Sequence, residues 1–305
     1  MKTFLALTVA ALAAAPAALA AGGPLYAQVG GTGVASPSGN VHYVPLSAGS
    51  GRTMLVTVSA DGSVWNGSTF AGDWGVPMIG YQTPVGISRD GRRLVLQSLA
   101  ATAPTHFLVV DLRRMRVVDR FTLHGAFSFD ALSPDGATLY LTDRVDASNQ
   151  SRYVVRAYDL RSHTLRAGRI ADRTQKSWVM EGDALTRAVG PGGRWVYTLY
   201  TNPGGTPFVH ALDTVRGVAH CIGIPWTRPD QNALFNVVLA VRGDRLDVHW
   251  RSGKPWLRVD TGSWRISAAT QSGFPWAWLG LLALPLPLWL ARRRRPGGTL
   301  LPREA

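Results

Sequence analysis

The chain has 305 residues, 46% of them hydrophobic and 17% charged, with a formal net charge of +13. This composition excludes a disordered chain and supplies enough apolar residues for a sizeable core. Its single cysteine, Cys221, excludes an internal disulfide, so the fold must hold by burial and backbone pairing.

Residues 1–20 read as a secretory signal peptide: Lys2, an apolar run from Phe4, and the small-residue ending Ala18-Leu19-Ala20. Cleavage would fall before Ala21, and no cysteine follows to carry a lipid. Residues 21–272 then form one extracytoplasmic domain. Setting aside Lys2 and the basic tail leaves 26 basic and 18 acidic residues, nearly all of the basic ones arginine and scattered. Such scatter marks a solvated surface, and nucleic acid is excluded as a partner by the compartment.

Within this domain one stretch recurs. "SPSGNVHYVPL" at 36–46 is followed by "SRDGRRLVLQS" at 88–98, "SPDGATLYLTD" at 133–143, "GPGGRWVYTLY" at 190–200 and the weaker "VRGDRLDVHW" at 241–250. Glycine at the tight turn supplies a positive φ, and the Asp or Ser before it bonds nearby backbone. After the second to fifth copies comes an alternating strand that closes on an aspartate, Asp111, Asp159, Asp213 or Asp260, and then a shorter outer strand. The turn glycines Gly39, Gly91, Gly136, Gly193 and Gly243 recur at intervals of about 50 residues, the period of a four-stranded propeller blade. Residues 66–85 leave room for a sixth copy, and a β-sandwich is the alternative fold.

These repeats resemble those of bacterial YVTN-type and WD-repeat-like β-propellers, above all "SPDGATLYLTD" with "YVVRAYDLRSHTL" and "WVYTLYTN" with "FVHALDTVRG". The resemblance implies an all-β propeller of about five four-stranded blades. It implies no particular activity, because such propellers serve as enzymes, scaffolds and receptors.

The long connections are expected on the end opposite the recurring turns. They carry Trp74 and Tyr81 (71–84), Trp178 (171–184), and Trp226 with Arg228 (226–233). These five residues are the expected binding set, suited to stacking on a sugar ring or anchoring a protein. The other reading makes each tryptophan a plug at a blade junction. Enzyme signatures are missing: the seven histidines have no zinc-ligand spacing, no GxSxG elbow occurs, and Glu181 is the only glutamate before the tail. No metal or cofactor is expected.

Residues 273–291 carry no charge and are followed by Arg292–Arg295. Nineteen residues in a helix span about 28 Å, matching a bilayer's hydrocarbon core, and the arginines place the 292–305 tail in the cytoplasm. A processed sorting signal is the alternative. The sequence thus leads to a single-pass membrane protein whose extracytoplasmic propeller binds an envelope protein or glycan. A propeller hydrolase or lactonase, with carboxylates at the channel mouth, is the competing expectation.

Overall fold

The computed structural model describes residues 27–80, 83–100, 103–172, 174, 179–228 and 230–269. The expected signal peptide, membrane span and basic tail lie outside them. No helix among the described residues is long and apolar enough to cross a membrane.

Among the described residues five antiparallel sheets follow one another along the chain. The first comprises Val34–Ala35, Val41–Ser47, Arg52–Ser59 and Val64–Ala71. The third, fourth and fifth repeat this meander, beginning at Phe127–Leu132, Ala184–Val189 and Val237–Arg242. In every sheet the recurring turn joins the first strand to the second, and its glycine takes a φ between 61° and 77°. The turn serines close these corners: Ser88 and Ser133 donate to Asp90 and Asp135 at 2.7 and 2.6 Å, and accept the amides of Arg93 and Thr138. The strand-closing aspartates act likewise, each accepting two backbone amides two and three residues on, as Asp159 does from Arg161 and Ser162. The recurring aspartates are therefore turn formers.

Buried apolar side chains fall into four clusters, each shared by consecutive sheets. Leu55 and Leu96 lie between the first and second, Phe107 and Leu139 between the second and third, Val155 and Leu212 between the third and fourth, and Leu199 and Val248 between the fourth and fifth. Among the described residues no such cluster joins the fifth sheet to the first. The N-terminal strand Ala27–Gln28 pairs with Val76 and Pro77 of the second sheet, so it does not bridge to the last.

The second sheet departs from the repeat. Its strand Trp74–Ile79 pairs with the next strand only at Trp74 and Gly75, then turns away. The chain returns through Thr83–Pro84, which pairs back onto it, and rejoins the sheet at Ile87 opposite Leu94. Every residue of Trp74–Ile79 is buried. This hairpin touches strands of the first, third and fourth sheets. It therefore occupies the centre around which the sheets are arranged. Gly80 at its tip takes a φ of 57°, and a Cβ there would stand 2.7 Å from the Leu185 carbonyl oxygen. Only glycine lets the tip approach the fourth sheet so closely. The described residues of 66–85 are thus shared between the first sheet's outer strand and this hairpin, and form no further sheet.

Candidate functional site

At the end that carries the recurring turns, the first four sheets leave a cleft of about 320 Å³ at the centre. Its walls are apolar: Val34 and Pro37 from the first sheet, Val85 and Ile87 from the second, Phe129 and Leu132 from the third, Val189 from the fourth. Two arginines complete it. Arg89 stands exposed at the rim, and Arg187 lies buried deeper. Among the described residues no carboxylate, histidine or cysteine lines the cleft.

Arg187 is held rigidly. Its Nη2 donates to the Asp130 carboxylate, its Nη1 to the Asp130 carbonyl, and its Nε to Thr198 Oγ1 at 2.9 Å. The side chains are 4% and 1% exposed. Both residues flank irregularities in their strands: pairing skips Asp130 between Phe129 and Ala131, and skips Leu185 between Ala184 and Thr186. A bulge re-aims side chains that regular alternation would send elsewhere. Here it turns a charged residue of an inner strand toward the neighbouring sheet.

Beyond this pair, toward the outer strands of the fourth sheet, lies a polar cluster in which His210 and Asp172 are buried and Cys221 and His220 half-buried. Cys221 Sγ and His210 Nδ1 are 3.6 Å apart, and Asp172 accepts the Cys221 amide at 2.8 Å while its carboxylate pairs with His220 at 2.8 Å. A cysteine beside a histidine raises the question of a nucleophile. Burial, helped by the Asp172 charge, pushes the Cys221 thiol up to about 12. Burial pushes His210 down, reinforced by Arg187 and opposed by Asp130 and Asp172. A neutral thiol beside a neutral imidazole is inert packing.

This has a consequence for pH. His210 titrates lower when folded than when unfolded, so its contribution is complete above about pH 6.5 and is lost as pH falls through the folded value. Thermal melts between pH 7 and 5 should show the native chain losing more stability than His210→Gln. Parallel curves would overturn this assignment.

Of the five residues expected to bind, the described ones fall in different parts of the fold, Trp74 between the first two sheets and Trp226 with Arg228 at the fifth. Trp74 is 5% exposed, donates its Nε1 to the Ala71 carbonyl at 2.8 Å and lies under Arg120, whose guanidinium is 5.4 Å from the ring. It is a core residue of the first two sheets, because the segment expected as an exposed loop is the central hairpin. Trp226 is half-buried on the fifth sheet, 5.6 Å from Trp256 and 6.5 Å from Trp250, with Arg228 stacked at 5.7 Å. Tyr81 and Trp178 lie outside the described residues. Among the described residues no group of His, Cys, Asp and Glu is arranged to hold a metal ion.

None of the cleft residues belongs to the set expected from the sequence, although one carries a signal. The second position of the recurring turn is Pro37, Pro134 and Pro191 in three copies and Arg89 in another. A guanidinium in a slot otherwise given to proline is the break in the repeat that marks the rim.

Successive four-stranded antiparallel sheets whose inner strands face a common centre define a protein of the β-propeller class. No protein-family model matches the chain, and no curated protein matches it. Solved structures similar to it include TolB from Acinetobacter baumannii (15% identity, 73% of this chain and 52% of that one, TM-score 0.43). The Dos1 propeller is another (10%, 76% and 57%, 0.45), as is a puromycin hydrolase (17%, 80% and 39%, 0.46). The chain thus spans about half the length of these structures, or less.

Proposed function

We propose that this protein is a binding module, a propeller displayed outside the membrane by the 273–291 span, and that its ligand sits in the central cleft at the turn end. The observation that carries this reading is the lining: apolar walls with arginines at the rim and floor, and no carboxylate. A hydrolase of the competing kind needs converging carboxylates, and the cleft offers none. Of the two expected partner classes, protein fits better than glycan. Apolar walls would leave sugar hydroxyls without partners, at a cost of about 1–3 kcal/mol for each buried group. An apolar chain end of an envelope protein, its terminal carboxylate held by Arg89, satisfies both features.

The test uses short peptides. Ala-Leu-Phe with a free carboxyl end should raise the melting temperature by roughly 5–10 °C at a hundredfold excess over its Kd. The amidated peptide should do so far less, and Arg89→Ala should weaken the free-acid peptide about tenfold. Val189→Trp, which fills the cleft from an exposed position, should abolish the shift. Equal shifts from acid and amide, or a shift surviving Val189→Trp, would place any ligand elsewhere.

A further inference from the structure

The fifth sheet carries a feature that the cleft does not explain. At the end opposite the recurring turns, Trp226, Trp250 and Trp256 gather with ring centroids 5.4 to 6.5 Å apart. All three are half-buried, exposed Arg228 stacks on Trp226, and exposed Arg251 and Lys254 lie between Trp250 and Trp256 in the chain, with Asp230 the one acidic group among the described residues of the same segments. The patch is rigidly mounted. Gln231 accepts the Asn202 amide at 2.8 Å and donates to the carbonyls of Asn202 and Gly205 at 2.9 and 3.0 Å, fastening the 226–232 segment to the fourth sheet.

The last described residue, Ala269, lies at this same corner. The last strand, Ile266–Ala268, runs beside Pro255–Asp260, and Ala269 donates its amide to the Trp256 carbonyl at 3.1 Å. The uncharged run begins at Gly273. Four residue steps reach at most about 14 Å. If residues 273–291 span the membrane, Ala269 cannot stand farther than that from the start of the span, and the Trp256 backbone lies beside it.

Tryptophan with arginine and lysine is the composition that partitions to a membrane interface, rings at headgroup depth and cations toward anionic phosphates. We infer that this corner of the fifth sheet docks onto an anionic lipid surface. The docking fixes the propeller with its turn end, and therefore its cleft, pointing away from the membrane. The inference rests on the anchor reading above and adds an orientation to it.

The experiment uses the full chain in vesicles of phosphatidylcholine, with and without phosphatidylglycerol. A fluorescent label is attached to Ser252→Cys, in the loop between Trp250 and Trp256, or to Asp244→Cys, at the turn end of the same sheet. The chain without either substitution, carrying only half-buried Cys221, measures the label taken up at that thiol. The six-residue strand Arg245–Trp250 separates the two sites by about 20 Å. Headgroup-linked quenchers should reach position 252 and not 244, more strongly with phosphatidylglycerol. Arg228→Glu/Lys254→Glu, which touches only exposed side chains, should cut docking by well over tenfold, at about fivefold per charge near the surface. Alkaline extraction of the same vesicles reports on the anchor separately. A chain that stays embedded while both labels escape quenching, or while quenching ignores lipid charge and the double variant, overturns the docking and leaves the anchor standing. A chain released by alkali overturns the anchor and with it this orientation.

Discussion

Replacing Arg187 with methionine should lower stability by about 3–5 kcal/mol, the range for stranding one partner of a buried ion pair. For a domain of this size the melting temperature should fall by roughly 6–20 °C. The reason is specific to the geometry. Arg187 ties the inner strand of the fourth sheet to that of the third, and Asp130 is 1% exposed with its second carboxylate oxygen already lacking a protein partner. Without the guanidinium the carboxylate must either stay charged in a dry site or take up a proton. The double variant Arg187→Met/Asp130→Leu should recover most of the loss, since two apolar side chains leave no charge unpaired. Calorimetry on the two singles and the double closes the cycle. A single-variant cost below about 1 kcal/mol would mean that water already reaches the pair.

The second large effect concerns two tryptophans that look alike in the sequence. Trp74→Ala should cost about 3–5 kcal/mol, the range for removing a buried aromatic ring. It deletes a ring 5% exposed, the Nε1 bond to Ala71 and the surface beneath Arg120. Trp226→Ala removes a half-exposed ring and should cost about 1 kcal/mol. Chemical denaturation of both variants checks the contrast, and equal losses would contradict the central placement of the hairpin.

That pair also shows how far the sequence was legible. The recurring Ser-x-x-Gly turns and closing aspartates were readable because a tight turn restricts residue choice at fixed offsets. The structure finds all five turn glycines with positive φ and the strands on either side where alternation put them. The 71–84 stretch reads as a loop because Gly72, Pro77 and Gly80 look like loop punctuation. Inside a propeller the same residues build a short buried hairpin, and nothing in local pattern separates the two. Asp130 and Arg187 were invisible for another reason. A bulge changes which way a side chain points, and a charged residue in an apolar strand reads as outward-facing until its opposite partner on another sheet is known. Arg89 alone among the cleft residues could have been noticed, as the break in a proline column.

The lack of a buried cluster between the fifth and first sheets, among the described residues, bears on how the molecule responds to force. On the anchor reading proposed above, a pull on the tether reaches the described fold at Ala269, in a terminal sheet that, like the first, shares a hydrophobic core with a single neighbour. Under load that sheet should peel first, separating along Leu199 and Val248 while the hairpin still clamps the other four around the cleft. The fifth sheet would then act as a mechanical fuse, lengthening the tether before the ligand seat is strained.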